Sequence, residues 1–516
     1  MVCGFGDTHP STLRTDIFRY LIQNARTHGK SEEERKFTAM LKLFDPSSSL
    51  PVAERGKAPV AITSFFAGKP LVLDEKVKAG QIDDYVTPTF YAPNVSWLVH
   101  RIGMNSRHSL MVSLNGSEGN HMHANGISME LYGKGYVLGP DAGIGKTLYQ
   151  GLDYLEYYSQ FPSHNTVCVD GISSYPVMKS NHSFKLRALY PAAGERLPYQ
   201  PISYSEVYFR EPETFADQTR LNGIVNVGDS AGYYIDIFRS RKVEGGDKMH
   251  DYFYHNLGQH MTLTAADGSE LGLQPTQELA FAGAHLYAYS YIYNKKRAVT
   301  SKDVKAGFTI QMPDKDDITM NLWMKGEEGR EIFSALSPMT EGLSRIKNMP
   351  YSIKDQPTLT FVAHQKGEAW NRPFVAVYEP STLKEPSCIA SVDYPQVKSE
   401  QQGSHVGIRV ALTNGNVDWI LSSDENAHHC KLEKLQARAS YALCRQSEKG
   451  EALQAYLGNG TQLEADGVSI RTDAPADVLL LKQDGKWMYT ATAPCRVVVG
   501  KKKYTLSVSK ELRLLK

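Results

Sequence analysis

The chain lacks a hydrophobic run of membrane-spanning length and a marked excess of either charge, and we expect no secretory signal in the chain as given. No apolar run in its 516 residues approaches the roughly 20 residues that a membrane helix needs. Lys and Arg number 57 and Asp and Glu 56, so no global field selects nucleic acid or an anionic membrane. The start, MVCGFGDTHPS, has no basic region followed by an apolar one, which argues against a signal in the chain as given. We expect neither a nucleic-acid partner nor a membrane span.

The six cysteines are also scattered, without a CxxC motif or a compact framework. They stand at Cys3, Cys168, Cys388, Cys430, Cys444 and Cys495. This spacing favours free, mostly buried thiols. A disulfide between Cys430 and Cys444 across a hairpin stays open, because sequence spacing does not fix it.

Helical periodicity is confined to the beginning of the chain. Apolar spacing predicts one amphipathic helix over 11–28 and a second helix that follows at once. Ser31 and Glu34 form a capping-box pattern at its start, and Asp45 followed by Pro46 ends it. Two helices cannot enclose a domain, so we expect residues 1–57 to be the last hairpin of a larger helical part or a small bracket packed against the sheets.

From about residue 58 onward the pattern is strand after strand. Predicted strands include Ser109–Leu114, Ser128–Tyr132, Asn165–Val169, Tyr233–Phe238, Phe308–Gln311, Pro373–Tyr378, Ser404–Leu412 and Arg496–Val499. Asn-Gly and Asp-Gly turns between strands predict stacked antiparallel sheets. The expected fold is mainly β, with a central sandwich over 58–385 and a C-terminal sandwich region over 386–516.

Metal-binding side chains concentrate in NHMHANGISMELYGKGYVLGPD and the following SHNTVCVDG. They are His123, Asp141 and His164, with a further imidazole at His121. If the first segment is a strand, His121, His123 and Asn125 point to one face. Polar groups that share a strand face are costly to bury without partners, which favours a site over a core.

With these residues in view, the chain resembles the β-sandwich half of the heparinase II/III-like polysaccharide lyases. The resemblance rests on GNHMHANGISMELYGKGYVLGPDAG at 119–143, SHNTVCVDG at 163–171 and HDYFYHNLG at 250–258. It implies an incomplete α/α toroid, of which 1–57 is the end, followed by a large antiparallel β supersandwich. The active cleft of such enzymes runs between the two parts.

The resemblance also implies roles for individual residues. His121 matches the catalytic histidine, and His123, Asp141 and His164 match the ligands of a structural zinc. Imidazole and carboxylate ligands suit zinc, whereas calcium would want mostly oxygens. Asn125, with Asn165, is expected to orient the ligands through hydrogen bonds.

Four residues are further candidates for substrate binding: Asn125, Tyr157, Arg239 and His255. Tyr157 belongs to a group of tyrosines on a predicted loop, for which aromatic packing is the competing interpretation. Arg239 lies in a basic cluster that is also typical of a solvated strand end. For His255 a structural role is equally compatible with the pattern.

The implied reaction is β-elimination on a uronic-acid polysaccharide, which needs two proton carriers and stabilisation of the substrate carboxylate. The toroid would supply a tyrosine and the carboxylate-neutralising residue, and no residue in 1–50 matches either. We therefore expect a C-terminal portion of a longer enzyme; a second polypeptide or reduced catalytic power are the alternatives. A periplasmic or secreted location follows if a signal-bearing half is missing, and a homodimer is compatible with the pattern.

Two other functions compete with the lyase. One is a glycan-binding or scaffold β protein that keeps the structural zinc without the chemistry. The other is a zinc hydrolase in which Glu130 acts as general base. The polysaccharide itself (heparan sulfate, alginate, an ulvan-like or another uronate polymer) is not encoded in the visible motifs.

Overall fold

The computed structural model describes residues 15–46, 71–103, 109–145, 152–173, 179–195, 201–228, 231–279, 287–340, 353 and 356–516. One compact unit ends at Thr87, and the second begins at Pro88 and runs to Lys516. The boundary expected after residue 57 falls between residues 47 and 70, outside the described segments. The second unit continues through the boundary expected at residue 385.

The described part of the first unit contains a helical hairpin of α1, Asp16–Thr27, and α2, Ser31–Phe44. Its small core consists of Phe18, Ile22, Leu41 and Leu73. The apolar spacing predicted both helices, because residues three and four apart fall on one face.

The predicted capping box is wrong. Lys30, not Ser31, occupies the N-cap position of α2, and no side chain caps this end. Glu34 is instead engaged with Arg26, whose Nη2 lies 2.8 Å from the carboxylate. The acid that the capping-box pattern assigned to the helix end thus joins the two helices.

The second unit consists almost entirely of antiparallel strands, and all eight strands named from the sequence are present. The first half contains β1 Thr89–Ala92, β2 Trp97–Ile102, β3 Leu110–Asn115, β4 Ser117–Asn120, β5 Ser128–Gly133, β6 Tyr136–Gly139, β7 Val167–Val169, β8 Lys179–His182, β9 Lys185–Tyr190, β10 Ile202–Arg210, β11 Ala216–Asn226, β12 Gly232–Lys242, β13 Met249–Asn256, β14 His260–Ala265 and β15 Gln274–Pro275.

A one-turn helix, α3 Tyr287–Ser290, precedes the second half. The strands that follow are β16 Tyr293–Thr300, β17 Val304–Ile310, β18 Ile318–Met324, β19 Arg330–Ser337, β20 Thr358–Lys366, β21 Ala369–Ser381, β22 Ile389–Asp393, β23 Lys398–Ser399, β24 His405–Leu412, β25 Val417–Ser423, β26 Cys430–Leu432, β27 Leu435–Gln446, β28 Ala452–Ala465, β29 Val468–Gln483, β30 Lys486–Ala491, β31 Cys495–Val499, β32 Lys502–Leu506 and β33 Ser509–Leu514.

These strands form four larger sheets and one pair. The sheets run β1-β2-β3-β5-β6, β15-β16-β19-β20-β13-β7 and β14-β17-β18-β21-β12-β11-β10-β9, and the strands from β22 onward form a twelve-stranded sheet. Strands β4 and β8 pair separately. The mainly β fold class expected from the sequence is confirmed.

The eight-stranded sheet is buried on both faces, which β12 illustrates. Tyr234 and Phe238 belong to the core shared with the first two sheets, whereas Ile235 and Ile237 belong to the core shared with the twelve-stranded sheet. Because side chains alternate along a strand, a nearly continuous apolar run covers both faces. Asp236 is the only charged residue between Gly232 and Phe238, and it points with Tyr234 toward the first core.

Five of the six cysteines lie in described segments, and all five are free thiols, mostly buried. The free-thiol interpretation is confirmed for these positions, and Cys430 and Cys444 are not bonded to each other. None of the helices in the described segments combines the length and apolarity needed to cross a bilayer.

Candidate metal and proton-transfer site

The structure brings His123, Asp141 and His164 together in the interior. One ligand atom from each lies within 4.8 Å of the others. Each residue is only 1% exposed, and Nδ1 of His164 lies 2.8 Å from Oδ2 of Asp141. The imidazole rings of His123 and His164 are 5.4 Å apart between centroids. Residues from three separate segments therefore form one buried cluster.

The electrostatics of this cluster favour an ionised carboxylate. Burial opposes ionisation of Asp141, but the imidazoles of His164 and His123 and the N–H of Gly143 outweigh it and lower the pKa of Asp141. Nε2 of His164 is buried and makes no hydrogen bond within the described residues. A buried imidazole nitrogen without a partner is costly, and a metal ligand bond would satisfy it.

Two nitrogen donors and one carboxylate fit zinc in kind and number. Calcium would need six to eight oxygen ligands, which this cluster does not offer. On donor chemistry and burial the residues present fit the zinc that the resemblance implies.

His121 lies elsewhere than its sequence pattern predicted. Residues 121–127 form no strand; they connect β4 to β5. His121 has a left-handed backbone conformation, φ 59°, and is exposed, whereas His123 is buried. The expectation that His121, His123 and Asn125 share a strand face is therefore wrong, because alternation requires an extended backbone.

The backbone at His121 is nevertheless informative. A residue other than glycine with positive φ is uncommon, although histidine tolerates it better than most. Such conformations cost about 1–3 kcal/mol and concentrate at functional sites. Here the conformation turns an imidazole toward solvent two residues before a member of the buried cluster.

The segment that carries His123 is packed directly on the segment that carries His164. Ala124 N–H donates to Ser159 O at 2.9 Å, and Met129 N–H donates to Asn165 O at 3.1 Å. Gly126 has a positive φ of 56°, and a Cβ there would lie 2.6 Å from the ring of Phe161. Only glycine permits this close approach.

A buried ion pair between β11 and β12 anchors the segment that carries His123 and the segment that carries His164. Arg220 forms two hydrogen bonds of 2.8 Å to the two carboxylate oxygens of Asp236. Its Nη1 donates to Ile127 O at 2.7 Å and to Asn165 O at 2.6 Å. Burial lowers the pKa of a guanidinium, but here the Asp236 carboxylate outweighs burial and raises the pKa of Arg220. The charged arginine thus holds the backbone beside His123 and His164.

Asn165 completes this support through its side chain. Nδ2 donates to Met129 O at 2.8 Å and to Pro140 O at 3.2 Å, and Oδ1 accepts the N–H of His255 at 2.6 Å. Asn165 was expected to orient a ligand imidazole; it orients the chain instead, including the residue before Asp141.

Glu130 is a structural carboxylate. It is fully buried, Oε1 accepts the N–H of Asp141 at 3.0 Å, and Oε2 accepts the hydroxyl of Tyr132 at 2.8 Å. A general base needs an oxygen that reaches the reacting water. The geometry therefore removes the main support for the zinc-hydrolase interpretation.

The structure gives the other proposed substrate-binding residues structural surroundings. Tyr157 is 1% exposed and stacks on Tyr291, with centroids 5.6 Å apart. Burial raises the pKa of its hydroxyl, which disfavours a role as proton carrier. Asn125 is also buried, and its Nδ2 donates to Asn115 O at 3.3 Å. Neither side chain presents a free surface for a sugar.

Arg239 and His255 are likewise corrected from substrate contacts to buried structural groups. Arg239 is 0% exposed, and its Nε donates to Ser404 Oγ at 2.8 Å. Both ring nitrogens of His255 are engaged, Nδ1 with Thr360 Oγ1 at 3.0 Å and Nε2 with Pro162 O at 2.9 Å. Their hydrogen-bond partners lie far away in the sequence. Local charge and sequence pattern therefore wrongly suggested that both side chains are exposed.

Arg220 and Asp236 were not among the residues predicted from the sequence, although a signal was present. Asp236 is an isolated charge in the apolar stretch YYIDIF, and Arg220 is the only charge in QTRLNGIVN on the neighbouring strand. Buried charges persist only when they are paired, so opposite charges in two neighbouring apolar strands predict each other.

Comparison with known proteins relates the chain to enzymes that degrade polysaccharides. The family model "Endo-acting ulvan lyase C-terminal domain" matches residues 395–481. An endo-acting ulvan lyase from Formosa agariphila is 25% identical over 500 residues, covering 91% of this chain and 58% of that protein. The chain thus spans little more than half the length of this relative. The similarity agrees with the coarser part of the resemblance, a polysaccharide lyase.

Two solved structures overlap with the chain more loosely. A heparinase III is 11% identical with a TM-score of 0.42, covering 79% of this chain and 49% of that one. The heparan sulfate lyase HepC from Pedobacter heparinus is 12% identical with a TM-score of 0.39, covering 80% and 48%.

Replacement of Arg220 by methionine should destabilise the protein by about 3–5 kcal/mol, because it leaves Asp236 as an unpaired buried charge. The matched control is Arg210→Met, since Arg210 pairs with Asp217 at 3.3 Å at a more exposed position between the neighbouring strands β10 and β11. An exposed pair contributes only about 0–1 kcal/mol. Urea denaturation of both variants measures the difference, and equal losses would contradict the proposed support.

Replacement of His255 by glutamine should weaken the pH dependence of stability in mildly acidic solution. Burial lowers the pKa of His255 to about 3 in the folded protein, against about 6.5 in the unfolded chain. Between these values the unfolded chain binds more protons, so stability is lost as the pH falls through the interval. Urea midpoints across this range should fall less steeply for His255→Gln than for wild type. The exposed His260→Gln serves as control, and identical slopes for all three proteins would refute the assignment.

Proposed function

We propose that this chain supplies the β part of a polysaccharide lyase that cleaves a uronic-acid-containing glycan by β-elimination. One observation carries the proposal: an exposed, strained His121 stands two residues before a buried His-Asp-His cluster. The similarity to an endo-acting ulvan lyase over 91% of the chain supports the class of reaction. It also makes ulvan the first substrate to test.

The reaction assigns His121 a defined task. A base removes the proton at C5 of the uronate, and an acid protonates the glycosidic oxygen that leaves from C4. An imidazole can move a proton in either direction near neutral pH. His121 is exposed and therefore accessible to a polymer, whereas the other histidines of this region, His123, His164 and His255, are buried.

The remaining requirements of the reaction fall outside the residues assigned here. The carboxylate dianion formed at C5 needs hydrogen-bond donors or positive charge, and the second proton transfer needs a partner for His121. We infer that these groups come from a helical part of the kind that the resemblance implies. Complete activity is accordingly proposed for a longer protein that contains this chain.

We further propose that His123, Asp141 and His164 hold a zinc ion. When bound, zinc would supply a structural link between the three chain segments. The chain's own residues do the rest: Arg220 and Asn165 hold the backbone, and the loop from β4 to β5 presents His121. Glycan binding without catalysis is the competing function, because a zinc ion in this cluster is compatible with a lyase and with a binding protein.

His164→Ala should remove the zinc held at this site and lower the melting temperature. The loss of one of three ligands breaks the coordination, and binding of a metal to the folded state contributes to folding free energy. Elemental analysis and thermal denaturation measure the two effects. His121→Asn is the control, because His121 lies outside the cluster and asparagine tolerates a positive φ. Unchanged zinc content in His164→Ala would exclude this residue as a ligand.

His121→Asn should reduce formation of the unsaturated uronate by about 10²–10⁴-fold, the usual contribution of one proton carrier. The assay follows ultraviolet absorption on ulvan and a panel of other uronate polymers. It uses both this chain and the chain extended by the sequence encoded upstream of Met1. Zinc content and circular dichroism should stay at wild-type values.

The controls separate the competing functions. His260→Asn, an exposed histidine on β14, should keep full activity. Full lyase activity in His121→Asn would place the proton carriers elsewhere. Binding without cleavage in the extended protein would favour the glycan-binding function.

A further inference from the structure

A second cluster of metal-binding side chains lies in the C-terminal part of the chain. His405, Asp424 and His428 each place one ligand atom within 4.8 Å of the others. His405 is the first residue of β24, and the other two lie in the loop between β25 and β26. All three are half-buried. None of the motifs behind the proposed function includes them.

The imidazoles leave ring nitrogens without hydrogen bonds. Nδ1 of His405 lies 3.1 Å from Gly403 O, so Nδ1 carries the proton and donates it. Nε2 of His405 then offers a lone pair, and this atom is buried with no hydrogen bond to any described residue. Nδ1 of His428 is buried in the same way. Buried polar atoms of native proteins nearly always have a partner, so two such nitrogens side by side need an explanation.

The carboxylate is held in place by two donors. The N–H of Ser404 donates to Oδ1 of Asp424 at 3.0 Å, and Nε1–H of Trp370 donates to Oδ2 at 2.7 Å. Each carboxylate oxygen can accept more than one hydrogen bond, so both oxygens can still bind a metal ion. Metal-binding carboxylates are commonly oriented by such second contacts.

Gly403 keeps the space between the ligands open. A Cβ at this position would lie 2.8 Å from Oδ1 of Asp424 and 3.0 Å from Nδ1 of His428. Its φ is not in the left-handed region, so the backbone itself would accept another residue. Glycine is therefore needed at this position because a side chain would fill the space between the ligands, not because of its backbone conformation.

The nearby guanidinium does not rule out a cation. Arg239 donates to Ser404 Oγ at 2.8 Å and to Ser422 Oγ at 3.1 Å, beneath the cluster. Its charge interacts with the carboxylates of both Glu206 and Asp424. Asp424 is thus one of two carboxyl groups that lie near this buried guanidinium.

We propose that His405, Asp424 and His428 form a second binding site for a divalent transition-metal ion, with zinc as its occupant. The ligands are Nε2 of His405, the Asp424 carboxylate and Nδ1 of His428. Two imidazoles and a carboxylate suit zinc, and the half-exposed position leaves room for water as the fourth ligand. The ion fastens the loop between β25 and β26 to the start of β24. The inference does not depend on the proposed function.

Metal titration of the full chain tests this site without any glycan. Protein freed of metal by a chelator is titrated with Zn²⁺ by calorimetry and with Co²⁺ by visible absorption. The His164→Ala background isolates the second site, so it should still bind Zn²⁺, and adding His428→Gln should abolish that binding. His429→Gln in the same background is the matched control from the same loop and should bind as His164→Ala does.

A variant that keeps all three ligands guards against a simple folding defect. Gly403→Ala should weaken Zn²⁺ binding by at least about tenfold, the lower end of the effect of disturbing the surroundings of metal ligands. Circular dichroism should match that of His164→Ala. Equal Zn²⁺ binding with and without His428→Gln would overturn the site, as would unchanged affinity in Gly403→Ala.

Discussion

The ion pair of Arg220 and Asp236 is the interaction on which the site depends. It lies in the interior of the eight-stranded sheet, where both side chains are fully shielded from water. Such a pair adds little net stability compared with apolar residues, but the loss of one partner is severe. Its consequence here is geometric, because the same guanidinium binds the carbonyls of Ile127 and Asn165. The two segments that bear His123 and His164 are thereby joined to one rigid sheet.

Much of this arrangement could be predicted from the sequence, for specific reasons. The helices and strands follow from local periodicity, and the cluster of His123, Asp141 and His164 follows from ligand chemistry in one short region. The surroundings of Arg239 and His255 could not be predicted in this way. Arg239 is buried and donates a hydrogen bond to Ser404, which is 165 residues away in the chain. Sheet packing determines hydrogen-bond partners that are so far apart in the chain, and local composition does not predict them.

His121 shows a different limit of sequence reasoning. The alternating histidines predicted an extended strand, yet the positive φ at this residue ends the strand register and separates His121 from His123. The outcome suits the proposed chemistry better than the expected one. The proposed zinc ligand His123 needs a buried environment and the proposed proton carrier His121 an exposed one, and the backbone turn at His121 provides both. Both carboxylate oxygens of Glu130 accept hydrogen bonds, from Asp141 N–H and from the Tyr132 hydroxyl. Glu130 therefore supports the cluster and is not available as a general base.

The origin of the oxygen atoms in the products distinguishes the proposed elimination from hydrolysis. The extended protein is incubated with ulvan in water enriched in heavy oxygen, and the products are weighed by mass spectrometry. Elimination breaks the bond without adding water, so we expect unsaturated ends that carry no solvent oxygen. Saturated products with one heavy oxygen at each new reducing end would indicate hydrolysis and exclude the proposed elimination.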